Sequence, residues 1–239
     1  MKGDADGQGG TKNARLVPET RAAASCAIPR KRRHRVTMSK LYFQYGPMDA
    51  GKSAILLQSA HNYEARGMCA LRLKPAIDTR DPRHDHIVSR IGLNAKATTF
   101  SPDDDIAALI VAASCEGRPV DCVFIDEAQF LTRDQVQSLA HVVDAHDIPI
   151  VCYGLRTDFR GELFEGSAAL LALADDLEEI RTICWCGRKA TMTLRHGASS
   201  NDAQVAIGGN EAYVSLCRRH WRSGQVCAPR TPNLAVRAG

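Results

Sequence analysis

One stretch of eight residues has the spacing of a phosphate-binding loop. Gly46 and Gly51 frame it, and Lys52 and Ser53 complete the pattern G-x-x-x-x-G-K-[ST]. The glycines let the backbone turn its N–H groups inward, and the start of a helix adds a positive dipole end. Lys52 can then reach the β- and γ-phosphates of a nucleoside triphosphate, while the Ser53 hydroxyl binds Mg²⁺. The residues predicted to contact the nucleotide here are Gly46, Pro47, Met48, Asp49, Ala50, Gly51, Lys52 and Ser53.

Two adjacent carboxylates follow the apolar run 122–125. A carboxylate at the position of Asp126, at the end of a strand, is the usual partner of a phosphate loop because it holds Mg²⁺. The side chain of Glu127 should point to the opposite side of the strand end, toward a second substrate. There it can orient or accept the proton of an attacking hydroxyl. In many ATPases a glutamate activates water instead, so the pair alone leaves both kinase and hydrolase open.

Four potential metal ligands form a second cluster. Cys184 and Cys186 make a C-x-C pair, and Cys217 and His220 make a C-x-x-H pair. Three thiolates and one imidazole suit a closed, tetrahedral, structural Zn²⁺ site. The alternative is three unconnected buried thiols. A metal would pin both ends of the segment between the pairs, which has few apolar residues, and this segment could then cover a substrate.

The elements around these motifs predict an α/β fold in which helices flank a mostly parallel sheet. Apolar runs predict strands at 41–45, 69–73, 120–126 and 148–153. Helices are predicted from the loop to Gly67, from an N-cap at Ser101, from Thr132 with a capping box to Gln135, and over 167–174. Residues 74–93 are polar and are predicted to form a loop.

Composition excludes several classes of protein. Hydrophobic residues make up 44% and charged residues 24% of the 239 residues, as in globular proteins, and no apolar run is long enough for a membrane span. The first 40 residues carry 10 Lys/Arg and 3 Asp/Glu, whereas the remainder has 21 and 24, a net charge of −3. The body therefore lacks the basic field of a general nucleic-acid binder. Nine cysteines, most of which are predicted to stand alone, favour a reducing compartment and thus the cytoplasm.

Four regions are predicted along the chain. Residues 1–38 are a basic, disordered extension, whose run 30–35 is a solvated tail, a targeting signal or a nucleic-acid patch; alternatively the working protein starts at Met38. Residues 39–180 are predicted to form the phosphate-loop domain, residues 181–222 a zinc-binding domain, and residues 223–239 a disordered tail.

Together these motifs resemble the type II thymidine kinases, the bacterial and cytosolic deoxynucleoside kinases with a zinc-bearing lasso. The resemblance runs from about Ser39 to Trp221 and rests on the phosphate loop, the runs 126–130 and 153–161, and the cysteine–histidine cluster. It implies a RecA-like P-loop sheet with a small zinc-ribbon lasso domain. It also implies ATP, Mg²⁺ and structural Zn²⁺ as cofactors, thymidine as the substrate, and a homotetramer. The C-x-C first half fits one branch of the family.

The resemblance also assigns roles to individual residues. Glu127 would be the base that acts on the 5′-hydroxyl of the deoxyribose. Arg80 would contact the phosphate region, and Asp126 and Gln129 would join the ATP site. The residues that would line the thymidine pocket are Met48, Phe130, Leu155, Phe159, Thr193 and Tyr213. The predicted function is phosphoryl transfer from ATP to thymidine, giving thymidine 5′-monophosphate.

A rival hypothesis belongs to another class of protein: a P-loop ATPase whose zinc module acts on nucleic acid. The basic N-terminus and the cysteine–histidine cluster favour it. The acidic body and the single short loop that bears an aromatic residue, Tyr213, argue against it, since they offer a nucleic-acid strand little positive charge and little stacking surface. We therefore expect no nucleic-acid partner and no membrane partner.

Overall fold

The computed structural model describes residues 39–79, 81–195 and 213–226, which all belong to one compact unit. The predicted extension 1–38 and residues 227–239 of the predicted tail lie outside this range, as does Arg80. No helix among the described residues is both long and apolar enough to cross a bilayer.

A phosphate-loop architecture is visible in the order of the elements. The α-helices are α1 Lys52–Glu64, α2 Ile106–Ala112, α3 Arg133–His146, α4 Glu165–Leu173 and α5 Arg218–Ser223. The longer strands are β1 Leu41–Tyr45, β2 Ala70–Pro75, β8 Cys122–Ile125, β9 Ile150–Gly154, β10 Asp176–Glu179, β13 Met192–Arg195 and β14 Tyr213–Leu216. The short strands are β3 His86–Val88, β4 Asn94–Lys96, β5 Thr98–Phe100, β6 Ser114–Cys115, β7 Arg118–Pro119, β11 Thr182–Ile183 and β12 Lys189–Ala190.

Six strands form a sheet in the order β10-β1-β9-β8-β2-β5, and every neighbouring pair in it is parallel. Helices cover both faces, so the predicted α/β class is confirmed. Strand β9 separates β1 from β8, with Phe43 opposite Cys152 and Ile125 also opposite Cys152. The ends of β1 and β8 therefore open at the same edge, which brings the phosphate loop and the paired carboxylates together.

Alternation along the central strands divides the core between the two faces of the sheet. In β8, Val123 and Ile125 pack with α2, α3 and α4, whereas Cys122 and Phe124 pack with α1. All four side chains are buried, which is why this strand is apolar without a polar face. A buried strand on a two-sided core fixes the position of the residues that follow it.

One of the two predicted helix caps is correct. Thr132 begins α3 with a reciprocal capping box to Gln135, as predicted. The N-cap of α2 is Asp105 instead of Ser101, and its carboxylate accepts the Ala108 N–H at 2.9 Å. The reason is tertiary: the Gln135 side chain donates to the carbonyls of Ser101 and Asp104 and holds this turn outside the helix.

The prediction of a loop over residues 74–93 is wrong for residues 74–75 and 86–88, which are strand, whereas 89–93 form a turn. Lys74 belongs to β2, and β3 pairs with β4 in an antiparallel hairpin. Ile87 is 1% exposed and packs against α1. Within β3 it is the residue that faces the core, and its two neighbours in the strand are partly solvated. A strand of three residues is too short to produce a readable alternation.

Two of the cysteines expected to stand alone form a disulfide. Cys69 and Cys115 are joined across a sequence separation of 46 residues, which ties the start of β2 to the β6–β7 hairpin. Cys122 and Cys152 are free and buried, as expected of small core residues. Cys26 and Cys227 lie outside the described residues.

The cysteine–histidine region forms two further antiparallel pairs, β11 with β12 and β13 with β14, followed by α5. A small apolar cluster of Cys184, Ala190, Leu216 and Cys217 holds it together, with Trp221 packed alongside. Helix α5 ends at Ser223, one residue beyond the predicted boundary. The four predicted regions otherwise stay predictions.

Candidate active site

The phosphate loop follows β1 directly and needs its two glycines for different reasons. A Cβ atom on Gly46 would lie 2.6 Å from the Ile180 carbonyl oxygen, so only a residue without a side chain fits there. Gly51 has φ +82° at the N-cap of α1, a left-handed conformation that strains residues with a Cβ. Asp49 also has a positive φ, +61°. The loop therefore turns sharply into the helix, as an anion cradle requires.

Lys52 and Ser53 occupy the mouth of this cradle. The Lys52 side chain is buried, and its Nζ donates to the loop carbonyls of Pro47 at 2.8 Å and Gly46 at 3.2 Å. The Ser53 hydroxyl donates to Asp126 Oδ2 at 2.8 Å. A hydroxyl and a carboxylate at this separation are hard oxygen donors that fit one Mg²⁺. The structure thus brings together the predicted loop and the predicted strand-end carboxylate.

Glu127 has a positive φ of 50° and begins a 3₁₀ turn over Ala128–Phe130. Strand β8 has already ended at Ile125, so strand alternation does not set the direction of this side chain. The Glu127 carboxylate instead accepts a hydrogen bond from Gln129 Nε2 at 2.5 Å. Asp126 and Glu127 therefore differ in their partners, the first facing Ser53 and the second Gln129.

The Gln129 side chain bridges two chain segments. Its Oε1 accepts the Leu155 N–H at 3.0 Å while its Nε2 donates to Glu127, so the amide has one orientation that satisfies both. Gln129 is 2% exposed and does not line the phosphate-loop cavity. These contacts make it a residue that positions Glu127. Its contact with ATP stays a prediction.

A cavity of about 340 Å³ opens between the phosphate loop and the β3–β4 hairpin. Lys52, Ser53 and Glu127 all line it, so the predicted donor-binding residues and the predicted base share one space. The hairpin contributes Arg90, whose guanidinium forms an ion pair with Asp49 of the loop. Cavity dimensions of this order are typical of small-molecule sites.

Met48 connects the phosphate loop to the β13–β14 pair. Its N–H donates to the Thr193 hydroxyl at 3.3 Å, and its carbonyl accepts from the Ser215 hydroxyl. Thr193 is buried and lies opposite Ser215 in the β13–β14 register. The predicted pocket residues Met48 and Thr193 are thus adjacent. The loop is physically joined to the segment expected to cover the nucleoside.

The other predicted pocket residues lie on the segment after β9 and around it. The Phe159 ring lies beneath two guanidinium groups, with Arg195 Cζ 5.3 Å and Arg160 Cζ 5.5 Å from its centroid. The Trp221 indole N–H donates to the Phe159 carbonyl at 2.9 Å, which links this segment to α5. Tyr213 pairs with Arg195 in the β13–β14 register.

Phe130 and Leu155 complete the predicted pocket set. The ring of Phe130 packs edge-on against Phe164, with centroids 6.0 Å apart. Leu155 is held through its backbone, since its carbonyl accepts from the Ser167 hydroxyl and its N–H donates to Gln129. The thymidine contacts assigned to this set of residues stay predictions.

The four predicted metal ligands converge. The ligand atoms of Cys184, Cys186, Cys217 and His220 all lie within 4.8 Å of one another. His220 Nδ1 lies 3.3 Å from Cys184 Sγ and 3.5 Å from Cys217 Sγ, and its ring stacks on Trp185 with centroids 4.3 Å apart. Hydrogen bonding from the His220 backbone lowers the pKa of the Cys217 thiol. Three thiols and an imidazole at these distances suit a tetrahedral structural Zn²⁺.

Sequence reasoning missed the contribution of the β3–β4 hairpin to this site. Lys74 is 1% exposed, donates to the His86 carbonyl at 3.0 Å and forms an ion pair with Asp78 at 3.3 Å, beside the cavity. A lysine within the run 70–75 and an arginine at 90 gave no local pattern to follow, because their partners lie on other segments.

The fold and the site together define a P-loop phosphotransferase. The sheet is parallel, one of its strands ends in a phosphate loop with a strand-end carboxylate beside it, and a second carboxylate lines the shared cavity. The family model for thymidine kinase matches residues 39–221, nearly the whole described range. The chain belongs to the thymidine kinase family.

Individual relatives agree with the family match. The chain is 57% identical over 189 residues to a thymidine kinase of Ruegeria pomeroyi, covering 77% of this chain and 94% of that protein. It is 54% identical over 188 residues to a thymidine kinase of Rhizobium etli, with coverage of 77% and 94%. A thymidine kinase of Legionella pneumophila is 52% identical over 192 residues, with coverage of 79% and 91%.

Proposed function

We propose that this protein is an ATP-dependent thymidine kinase, which makes thymidine 5′-monophosphate for nucleotide salvage. One observation carries the proposal: Glu127 lines the same cavity as Lys52 and Ser53 of the phosphate loop. A carboxylate in that place can take a proton from a nucleophile that approaches the terminal phosphate. The family match and the names of the relatives support a thymidine hydroxyl as that nucleophile.

In the reaction, the Glu127 carboxylate accepts the proton of the 5′-hydroxyl while the hydroxyl oxygen forms a bond to the γ-phosphorus. The bond between that phosphorus and the β–γ bridging oxygen breaks, and its electron pair leaves with ADP. Gln129 keeps Glu127 in position by its hydrogen bond at 2.5 Å. Lys52, now bonded to carbonyls of its own loop, exchanges them for phosphate oxygens and balances their charge.

Two metal ions fit the residues present. Ser53 and Asp126 would hold Mg²⁺, which supplies charge neutralisation at the phosphate oxygens when bound. Cys184, Cys186, Cys217 and His220 would hold Zn²⁺, which supplies structure only, because four protein ligands leave no open position. The protein's own part in the Mg²⁺ site is to keep the Ser53 hydroxyl and the Asp126 carboxylate side by side.

Nucleoside binding rests on Met48, Phe130, Leu155, Phe159, Thr193 and Tyr213. The link from Met48 to Thr193 and Ser215 supports this assignment, since it makes the phosphate loop one wall of the acceptor pocket. A base pocket held by backbone and hydroxyl groups suits the fixed acceptor–donor–acceptor edge of thymine. The family resemblance further supports a homotetramer in the cytoplasm, and light scattering of the purified protein tests the number of subunits.

The deciding experiment is a panel of nucleosides assayed with Mg-ATP, with the Glu127→Gln variant alongside. We expect thymidine phosphorylation by the wild type, its loss in Glu127→Gln, and nearly unchanged binding of ATP and thymidine in that variant. Glu116→Gln is the matched control, because the Glu116 side chain is 89% exposed on the β6–β7 turn and should leave turnover unchanged. Near-normal turnover in Glu127→Gln would show that another group acts as the base.

The same assay separates the rival class. A P-loop ATPase that acts on nucleic acid would hydrolyse ATP without thymidine and would be stimulated by DNA or RNA. Starting the protein at Met1 and at Met38 in parallel shows whether the basic residues 1–37 contribute to either activity.

A further inference from the structure

The turn between β3 and β4 places an arginine over the phosphate loop. The Ser89 N–H and hydroxyl both donate to the Leu93 carbonyl, at 2.8 and 3.1 Å, and close a tight turn. Gly92 takes φ +89° in it. Arg90 projects from this turn, lines the phosphate-loop cavity, and pairs with Asp49.

The hairpin that carries Arg90 is anchored at its base. Ile87 is buried against α1, the helix that begins at the phosphate loop. The Ala97 N–H donates to the Asp85 carbonyl at 2.7 Å, and Lys74 Nζ donates to the His86 carbonyl at 3.0 Å. The turn is therefore held at a defined place beside the loop, and only the long side chain of Arg90 needs to move in order to change partners.

The ion pair itself is suited to exchange. The Arg90 and Asp49 side chains are 46% and 34% exposed, and ion pairs this open to solvent are weak. Asp49 belongs to a loop built to receive an anion, so a free carboxylate there would repel a triphosphate. A guanidinium prefers the oxygens of a phosphate, which it can bind in a bidentate, charge-assisted manner.

The other cations that line the cavity have partners deeper in the protein. Lys74 is 1% exposed and committed to Asp78 and the His86 carbonyl, and Lys52 is buried against the loop carbonyls. Among the described residues, Arg90 is thus the most solvent-exposed lysine or arginine that lines the cavity. A ligand with several negative charges would meet it on entering.

We propose that Arg90 is a phosphate-binding residue for the donor nucleotide, which Asp49 holds in place until the triphosphate displaces that carboxylate. This rests on the proposed function for the identity of the donor. It adds a basic group, contributed by the hairpin, to the lysine of the phosphate loop. The triphosphate would lie between Lys52 on one wall of the cavity and Arg90 on the other.

The test measures Mg-ATP binding by calorimetry without thymidine, and the KM values of both substrates. Arg90→Gln should raise the Kd and the KM for ATP about tenfold or more, because a charge-assisted hydrogen bond is lost. The KM for thymidine should change less than about twofold under the same reasoning. Arg90→Lys should recover the affinity only in part, since an ammonium lacks the planar fork.

A double variant separates phosphate binding from mere neutralisation of Asp49. Asp49→Asn should bind ATP at least as tightly as the wild type, and asparagine tolerates the left-handed backbone at this position. Asp49→Asn combined with Arg90→Gln should bind ATP more tightly than Arg90→Gln alone, because the repelling carboxylate is gone, yet about tenfold more weakly than Asp49→Asn, because the guanidinium is missing. A double variant that binds ATP as tightly as Asp49→Asn would overturn the proposal, as would an unchanged Kd in Arg90→Gln.

Arg83→Gln is the matched control. Arg83 precedes β3, its side chain is 50% exposed and pairs with Asp81, and it does not line the cavity. Arg83→Gln should leave the Kd for ATP unchanged. If it raises this Kd as much as Arg90→Gln does, the effect of Arg90 is one of overall charge and the proposal is overturned. The binding measurement is independent of the proposed function. If the wild type binds ATP but does not phosphorylate thymidine, the proposed function is refuted, and the Kd values of the variants still decide the role of Arg90.

Discussion

The side-chain amide of Gln129 donates to Glu127 Oε2 at 2.5 Å and at the same time accepts the Leu155 N–H at 3.0 Å. The proposed base is therefore tied, through one buried amide, to the segment that follows β9. That segment carries Leu155 and Phe159 of the proposed nucleoside pocket. Correct placement of the base and of the acceptor nucleoside thus depends on a shared contact.

Replacing Gln129 by Met keeps the volume of the side chain and removes both hydrogen bonds. We expect kcat to fall roughly 10- to 100-fold, as for other groups that orient a catalytic residue, with less change in the KM for ATP. Steady-state kinetics with each substrate varied in turn would measure the split. Equal losses in both KM values and a large fall in Tm would instead indicate a damaged fold.

The link between Met48 and Thr193 predicts an effect on thymidine alone. Thr193→Val removes the hydroxyl that accepts the Met48 N–H and leaves that donor without this partner in a partly buried position. The KM for thymidine should rise about 10-fold, or about 1.4 kcal/mol, which lies within the cost of leaving a hydrogen-bond donor unsatisfied, while the Kd for ATP changes little. Thr182→Val, on β11 outside the site, is the control, and an unchanged KM in Thr193→Val would contradict the assignment.

The cysteine–histidine cluster predicts one zinc per chain. Atomic emission should find one equivalent in the wild type and none in Cys184→Ser, and chelators should lower the Tm of the wild type alone, because a structural metal stabilises only the folded state. Cys152→Ala is the control: Cys152 is buried in the main core, away from the cluster, so this variant should retain the metal. If the zinc content does not depend on Cys184, the cluster is not a zinc site and its thiols are unconnected.

The disulfide between Cys69 and Cys115 predicts a redox-dependent stability. A crosslink that closes 46 residues stabilises by about 4 kcal/mol if loop entropy alone counts. Cys115→Ser should therefore lower the Tm in oxidising buffer, and reductant should bring the wild type to the same value. Identical melting of both proteins in both buffers would show that the bond does not form in solution.

Two tyrosines, Tyr153 in the core and the partly buried Tyr63, predict alkaline unfolding. Burial raises the pKa of Tyr153 and of Tyr63 to about 12 from an ordinary 10.0. The folded state thus holds these protons more tightly than the unfolded state, so their stabilisation is complete below pH 10 and is lost as the pH rises toward 12. Tyr153→Phe should show a smaller fall of Tm over this range than the wild type. The Tm of Tyr42→Phe, a change at a partly exposed site, should fall over this range as much as that of the wild type.

The motifs were predictable because each depends on local geometry. The phosphate loop must combine a turn, close backbone approach and a helix start within eight residues, and those demands select glycines at Gly46 and Gly51. The fold class followed for a similar reason, since strands buried on both faces are apolar throughout, as Cys122–Ile125 is.

What the sequence did not show depends on partners far along the chain. The Gln135 side chain donates to the carbonyls of Ser101 and Asp104, more than 30 residues away, and so moves the start of α2 to Asp105. Arg90 acquires a role only because a hairpin with three-residue strands brings it to Asp49. Neither relation has a periodicity or a spacing that could be read in advance.

The position of β1 has a consequence for how the protein is made. Although β1 is the first strand of the sheet in the chain, its two neighbours are β9 and β10, with Leu41 beside Ile150 and Phe43 beside Leu177. Contacts of such long sequence separation slow folding, and the strand has no partner until about 110 further residues have left the ribosome. At roughly 5–20 residues per second, the nascent chain carries an unpaired apolar strand for about 5 to 20 seconds. The phosphate loop that follows β1 therefore matures late in synthesis, after nearly all of the sheet has emerged.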